Sequence, residues 1–550
     1  MRGFRQTAVA LALGLAVVGG AGVAVAQSFS WRTVVNNGDD IPPFPPSAES
    51  KKFNSYSQPS VNERGLVAFR GRSKGPKEPI RGVYARDMRT SAAVVPIAYV
   101  EGAVPQPNNV YYNGELASFN EFPAFPRIDA SSPTIATRGQ SLPVWEFQIG
   151  VDSEGAALTT RVGTAGVYAN PGGVLAPGAS LLGAATNWPS LALTFPQFSV
   201  PGAPTGTRFD QFPGSPSVSG GTMVAFKGNY TVDDVGHTGV YFRDMRSFRN
   251  PTIRVADTLT RIPNQPAGSN VAFGSTAPPS SAGSYMYFVG SDNEDDPTLS
   301  GIYRAKMKTT GSISLETLVG LGTRVPGEPA GTVFAKFGEG LSVDGSGNFI
   351  AFWATWGAES TVRTLYCPTD GNADLIEYCD ATYPDGLDVD IPVHQGIFVY
   401  DSKRKLTRVV AKAGQDGLQD FLYWVFSGRP PGVGGSEDGE QEEPRWRSSA
   451  FAAVTLMGRG YGVAFKANQA GVDGIFLRKG PDVSPLVPVV KLFTNGQLID
   501  AEAPAGSIVT AVGIEREGFR GNRLAITASM LYETVEESIG WAGIYVTEVR

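Results

Sequence analysis

Apolar positions along this chain fall in short consecutive runs rather than at helical spacing, and the runs recur. Leu66-Val67-Ala68-Phe69, Met223-Val224-Ala225-Phe226, Phe349-Ile350-Ala351-Phe352 and Gly462-Val463-Ala464-Phe465 share one form, with looser copies at 285–289 and 524–527. Such runs, bounded by turn residues, read as strands buried on both faces, the pattern of stacked sheets. A second signature, glycine then Val or Ile then Tyr or Phe, accompanies them. It stands at Gly82-Val83-Tyr84, Gly166-Val167-Tyr168, Gly239-Val240-Tyr241, Gly301-Ile302-Tyr303, Gly396-Ile397-Phe398, Gly474-Ile475-Phe476 and Gly543-Ile544-Tyr545. Neighbouring copies lie roughly 60–95 residues apart, so the chain reads as an array of β modules.

Two more strands complete the unit. Trp31-Arg32-Thr33-Val34-Val35 has counterparts at 93–98, 174–182, 253–256, 315–319, 406–411 and 487–492. Gln58-Pro59-Ser60-Val61 and Ser215-Pro216-Ser217-Val218 mark the strand that precedes the apolar run, with looser versions at 132–135 and 341–343. In the order A (Pro-Ser-Val), B (apolar run), C (Gly-Val-Tyr) and D, each unit is a four-stranded meander. Seven such sheets in radial array are a seven-bladed β-propeller. The chain opens on a D strand and closes on a C strand, so Trp31–Val35 is expected to pair with 543–547 and close the ring, leaving no bare edge. A row of separate sandwiches is the alternative, and it lacks that pairing. Residues 27–550 are accordingly read as one propeller domain.

Long segments are unevenly placed. Those at 42–52, 102–125, 183–211 and 426–449 fall between D and A, and those at 146–165, 290–300, 353–395 and 528–542 between B and C. In a meander both connections emerge at the same end of the strands. One rim therefore carries the elaborated loops, where binding is expected.

Asn62-Glu63-Arg64-Gly65-Leu66-Val67-Ala68-Phe69 carries the Asn-x-x-Gly-x-x-Ala-Phe pattern in full, and the chain resembles the exported tandem-repeat proteins named after it. The resemblance implies a signal peptide and several repeats, and it brings no defined activity. Some such proteins carry a C-terminal surface anchor, which is not read here. Ser219 replaces the Asn in a second copy with Gly221 shifted by one, and the turns before Phe352 and Phe465 are one residue longer. Within the motif, Asn and Gly are read as turn residues that tolerate positive φ.

Composition adds an address. Arg2 and Arg5 precede an apolar run over 8–25 that ends in Ala24-Val25-Ala26, so residues 1–26 read as a secretory signal peptide rather than a membrane anchor. The chain carries a net charge of −6, which becomes more negative when that segment leaves, a surface that does not attract nucleic acid or anionic lipid. With no second apolar stretch long enough to span a bilayer, a secreted or periplasmic monomer is expected. Cys367 and Cys379, the only cysteines, are expected to form a disulfide. The 67 Gly and 40 Pro fit a protein built of many turns.

Candidate chemistry is sparse. Two histidines, His237 and His394, exclude a His-rich zinc site. No phosphate-cradling loop, nucleophile elbow or His-Glu-x-x-His is present. Asp233, Asp234, Asp292, Asp295 and Asp296 form acidic clusters in equivalent loops, suited to Ca²⁺ or simply solvated. The acidic run 437–443 reads as a solvated segment. Tyr111, Tyr112, Trp188, Trp356, Trp424 and Trp541 stand in the long segments, where they would stack on sugar rings or pin the loops. Asn229-Tyr230-Thr231 is a glycosylation sequon. The expectation is an exported, non-enzymatic propeller that binds an extracellular or envelope glycan or protein through its elaborated rim. The alternative is a carboxylate-based glycosidase or polysaccharide lyase, with or without calcium.

Overall fold

The computed structural model describes residues 29–550 apart from 43–50, 75–78, 91, 152, 183–194, 266–267, 369–372, 429–443 and 482–483. The signal segment 1–26, Trp188 and the acidic run 437–443 lie outside the described residues. Seven antiparallel sheets follow one another in A-B-C-D order and form a seven-bladed β-propeller. Trp31–Asn36 pairs with Ser538–Glu548, Trp31 opposite Thr547 and Asn36 opposite Gly543, and supplies the outer strand of the seventh blade. Closure thus takes place as the strand count requires.

Strand A is where the chain departs from its sequence reading. In most blades it is broken into two short pieces that pair with opposite halves of strand B. In blade one, Phe53–Tyr56 lies against Gly71–Ser73, and Ser60–Val61 against Val67–Ala68, with Pro59 at the break. Blade two follows suit with Ser118–Glu121 and Arg127–Ile128. The segment 132–135, expected as this strand, is instead the turn into strand B, which begins at Ile135. The two described ends of segment 426–449, expected between D and A, belong to the paired strands Leu422–Ser427 and Arg445–Ala450, inserted into the break of strand A in blade six. Segment 528–542 is not a loop either, because Arg523–Glu533 and Ser538–Glu548 extend as one long hairpin.

Aromatic packing explains the repeat signatures. In five blades the outer piece of strand A carries a phenylalanine whose ring meets the Tyr or Phe of the Gly-Val-Tyr signature nearly edge-on. The pairs are Phe53–Tyr84, Phe119–Tyr168, Phe209–Tyr241, Phe273–Tyr303 and Phe334–Phe398, at centroid separations of 4.9 to 5.2 Å. Such pairs contribute about 0.5–1.5 kcal/mol beyond their buried area. Strand B holds a glycine beneath that ring in four of these blades, Gly71, Gly139, Gly228 and Gly290. A Cβ there would stand 2.6–2.7 Å from the ring carbons, so the close approach excludes any side chain.

Blades are joined to their neighbours by arginines of strand C. Arg86, Arg243 and Arg478 each donate to a strand-D carbonyl of the preceding blade, at Val34, Pro177 and Val410, over 2.6–2.7 Å. At the axis, the inner pieces of the A strands touch in a closed ring, and hydroxyls of the Pro-Ser-Val type lace them together. Ser60 Oγ donates to Pro126 O at 2.8 Å, Ser280 Oγ to Leu341 O at 2.6 Å and Ser342 Oγ to Arg516 O at 2.6 Å.

Blade two places Arg127 where the others have serine or a small residue. Its guanidinium crosses to Glu517 of blade seven, donating from Nε at 2.7 Å, and reaches Pro279 O and Ser280 Oγ of blade four. Both partners are almost fully buried. Burial opposes ionisation of Glu517, but Arg127, Arg520 and Arg516 outweigh it and hold the carboxyl below its ordinary value.

Short A-to-B turns occupy the opposite rim. Asn62 Oδ1 accepts from the N–H groups of Arg64 at 3.0 Å and Leu66 at 2.9 Å, and Asp129 and Asp344 cap their own turns in the same way. Of the two motif residues read as turn formers, Gly65 does take positive φ, at +86°, whereas Asn62 acts through its side chain. Aspartate can therefore stand in for it. Cys367 and Cys379 are bonded, tying the single described α-helix, Ala373–Thr382, to the hairpin insertion of blade five. A disulfide is the mark of a non-cytoplasmic protein. Among the described residues no helix is long and apolar enough to cross a membrane.

Candidate functional site: a cleft on blade three

The B–C hairpin of blade three, Met223–Val232 with Val235–Asp244, pairs along its whole length to a two-residue tip. Asp233 and Asp234 take φ of +50° and +60°, the left-handed pair of a two-residue hairpin turn, which aspartate tolerates. The hairpin presents Asn229, Tyr230 and Thr231 on one strand and His237 and Thr238 on the other. Facing it, the segment entering strand A carries Arg208 and Asp210. It is fixed by Asp210 N–H donating to Asn229 O and Asn229 N–H to Gln211 O, both at 2.9 Å. Arg161, from the hairpin Trp145–Val151 and Ala157–Val162 of blade two, completes the wall. The cleft between them encloses about 520 Å³.

His237 is held firmly. Its Nδ1 lies 2.6 Å from Thr258 Oγ1, and its ring stacks on Tyr230 at 4.9 Å between centroids and 17° between planes. Tyr230 in turn donates its hydroxyl to Asp257 Oδ2 at 3.2 Å, a carboxylate that also receives Arg254 Nη1 at 3.0 Å. Burial, then the charge of Asp257, pushes the Tyr230 phenol up to about 12, so it stays protonated at neutral pH. Asp210 accepts from Thr231 Oγ1 at 2.9 Å.

Among the described residues, three buried polar atoms on the walls have no partner: Arg208 Nη1, Asn229 Oδ1 and Thr238 Oγ1. Leaving each unsatisfied costs on the order of 1–3 kcal/mol. Burial, reinforced by the neighbouring Arg161 charge, lowers the affinity of Arg208 for its proton, and Asp210 and Glu146 oppose the effect. An arginine remains charged under any such shift. All three residues line the cleft, while these particular atoms lie beneath its surface.

The residues singled out from the sequence are placed elsewhere, for the most part in structural roles. Trp356 is buried in strand B of blade five, stacked on His394 at 5.9 Å and edge-on to Phe398 at 5.8 Å. Trp541 donates Nε1 to Asp500 Oδ2 at 2.9 Å on the closing blade. Trp424 lies on the inserted hairpin of blade six. Tyr112 meets Phe147 edge-on at 5.0 Å, and Tyr111 beside it is exposed. Trp356, Trp424 and Trp541 stand on blades five, six and seven, apart from the neighbouring Tyr111 and Tyr112.

Asp233 and Asp234 are the hairpin tip just described. Asp292 closes its own loop, accepting from the N–H groups of Thr298 at 3.0 Å and Leu299 at 2.8 Å. Asp295 and Asp296 are exposed, their N–H groups turned to Asn293 Oδ1. Among the described residues no three His, Cys, Asp or Glu side chains converge as a metal ion requires. His394 sits with Nε2 3.3 Å from Glu359 Oε2, apart from the cleft. Arg161 and Arg208 escaped the sequence reading. The one available signal was Arg208-Phe209-Asp210-Gln211-Phe212, whose Phe-x-x-Phe spacing recurs at Phe119–Phe122 and Phe334–Phe337 and marks the outer half of strand A.

No family model matches the chain, and no curated protein matches it in sequence. Among solved structures it is similar to prolyl oligopeptidase B from Galerina marginata, at 9% identity over 89% of this chain and 50% of that one, with a TM-score of 0.36. It is likewise similar to Pyrococcus horikoshii acylaminoacyl peptidase, at 10% identity over 88% of this chain and 59% of that one, TM-score 0.31. The chain spans about half the length of the first of these structures. A GH62 hydrolase in complex with xylotriose matches at 8% identity over 59% of this chain and 88% of that one, TM-score 0.21. At such scores the likenesses carry no inference about what the cleft of blade three does.

Proposed function

We propose that this chain is an exported, non-enzymatic binding propeller that takes a glycan in the cleft of blade three. The observation that carries the reading is a cleft of about 520 Å³ walled by polar side chains, Arg161, Arg208, Asp210, Asn229, Thr231 and His237 among them. A ligand that suits such walls offers both acceptors and donors on a compact frame, as sugar hydroxyls do. A volume of this size is ordinary for a small-molecule pocket and too confined for a flat protein face. Export rests on the signal-like segment 1–26 together with the disulfide.

Hydrolysis by two carboxylates needs a pair about 5–9.5 Å apart. Asp210 is the one carboxylate among the described residues lining the cleft, and it is engaged by Thr231. Binding therefore fits the groups present better than that chemistry does.

A glycan array probed with the chain lacking residues 1–26, followed by calorimetric titration of the hits, tests the reading. Saturable binding that Thr238→Trp abolishes, with the glycan recovered at its original length, is the expected result. A blank array would refute glycan recognition, and shortened glycan after incubation would put the enzymatic alternative in its place.

A further inference from the structure

Apart from the cleft of blade three, we propose that Lys466 forms a second site, an amine that captures small aldehydes reversibly as an imine in the cavity where blades six, seven and one meet.

Tyr423, Phe451 and Lys466 of blade six face Val512, Thr527 and Ser529 of blade seven, with Gln58 of blade one, around a cavity of about 100 Å³. Strand A of blade seven brings Gly513 against blade one, where a Cβ would stand 2.9 Å from Gln58 Cγ, so the bare glycine admits that side chain. Lys466 follows Ala464-Phe465 on strand B and is buried, and its Nζ stands over the ring of Tyr423, itself a wall of the cavity. At the same register in blade one, Arg70 commits its Nη1 to Phe122 O of blade two at 2.7 Å. Among the described residues, Lys466 Nζ has no such hydrogen bond and no ion pair.

No carboxylate lines this cavity among the described residues. The acidic group that acts on Lys466 is Asp473, on strand C of the same blade, and it is already turned to Asn468 Nδ2 at 2.7 Å. Blades seven and one bring only neutral groups to the cavity wall. An ammonium taken out of water with no counter-charge favours its neutral form, and this one is lowered to about 8. A desolvated lysine of this kind is a carbonyl nucleophile near neutral pH.

The neutral amine adds to the carbonyl carbon, so that a C–N bond forms and the π pair moves to oxygen. A proton passes from nitrogen to that oxygen, and the carbinolamine then loses water to leave the imine, with no change of oxidation state. Gln58, Thr527 and Ser529 line the cavity with hydrogen-bonding groups suited to the carbinolamine oxygen. Pockets for drug-sized ligands run to about 300–1,000 Å³, so this one suits a short aldehyde.

Glycolaldehyde with cyanoborohydride, which delivers hydride to the imine carbon and fixes it as a secondary amine, tests the proposal on the chain lacking residues 1–26. Peptide mass mapping then gives the rate of modification at each lysine. At pH 7, Lys466 is expected to react about tenfold or more faster than Lys227, which follows Ala225-Phe226 at the same register of blade three, because an amine lowered to about 8 is neutral in a larger fraction than an ordinary lysine. Its rate should level off above pH 8, while that of the exposed lysines keeps climbing towards pH 10. Lys466→Met should remove the fast phase from the whole protein. Ser529→Trp, which fills the cavity and keeps the amine, should slow Lys466 at least as far as Lys227. Reaction at Lys466 no faster than at Lys227, or a rate still climbing at pH 10, overturns the proposal. Undiminished labelling in Ser529→Trp overturns it as well. The pH profile is read on the unaltered chain, so it decides the matter even if Ser529→Trp lowers the melting temperature.

Discussion

The side-chain amide of Asn36 donates to Asp500 Oδ2 at 2.9 Å, joining residues 464 positions apart in the chain. The same amide reaches Glu502 Oε2 at 2.8 Å, and the same Oδ2 also receives Trp541 Nε1 at 2.9 Å and Tyr545 OH at 3.0 Å. Strand pairing closes the ring, and this buried knot sets its register, since Asn36 sits opposite Gly543 in the ladder. Asn36→Ala should cost about 1–3 kcal/mol, the loss of a buried donor to carboxylates. Asn36→Asp should cost more at pH 7 because it adds a third carboxylate to the knot. The gap between the two variants should close as pH falls through the carboxylate range near 4. Urea titrations at pH 7 and pH 4 would show it, and equal midpoints at both pH values would contradict it.

Arg127 and Glu517 are the corresponding tie at the axis, 390 positions apart. Removing Arg127 takes away its bonds to Glu517 and leaves buried Arg520 Nη2, 3.7 Å away, as the remaining partner, so Arg127→Met is expected to lose about 3 kcal/mol, and adding Glu517→Met recovers little of it because Arg520 then loses its carboxylate. The acid limb follows from the lowered carboxyl of Glu517. Its contribution is complete above the unfolded value of about 4.3 and disappears as pH falls through the lower folded one. A pH series of melting temperatures should therefore fall less steeply below pH 4 in the double variant than in the wild type.

The glycine under four of the five aromatic pairs makes a sharper test of packing. Gly228→Ala would set a methyl 2.6 Å from the ring of Phe209, so the blade must shift, at a cost of about 1–3 kcal/mol. Phe209→Leu in the same chain should relieve part of that cost. Thermal melts of the single and double variants measure the coupling, and strictly additive effects would show that the ring and the glycine do not meet.

Lys466 is 8% exposed, with Nζ 3.6 Å from the centroid of the Tyr423 ring. Burial, only partly offset by Asp473, lowers its ammonium to about 8. The unfolded lysine titrates near 10.4, so the unfolded state holds its proton across the window in between, and stability should rise as pH climbs through it. Lys466→Met removes the penalty. It should be more stable than the wild type at pH 7, by at most about 3 kcal/mol, and the difference should shrink between pH 8 and pH 10. A difference that stays constant over that window would sink the account.

Most of the ring was legible because its signals are local. The Gly-Val-Tyr and Ala-Phe runs mark strands C and B directly, since each records the two neighbours its own strand must pack against. Strand A hid for a physical reason. Its break leaves pieces of two to six residues, most of them too short for a period to show, and the Phe-x-x-Phe spacing that identifies it takes on meaning only once the glycine of strand B is seen beneath the ring. The aromatic candidates were placed only by the structure. Trp356 and Trp541 lie in segments that look like loops in the sequence but continue as strands, and there their rings fill the blade.

The number of blades, the order of their strands and the pairing of Trp31–Asn36 with the last blade could all be read along the chain, because recurrence and strand count are linear properties. Which side chains meet across blades could not: Arg127 with Glu517, Asn36 with Asp500, and Arg208 with Asn229 and Thr238 come together only in three dimensions. A ring brings together residues according to which blade lies next and how far each hairpin rises, and no local pattern encodes either. The axis and the cleft are therefore properties of the closed circle, while the blades are properties of the repeat.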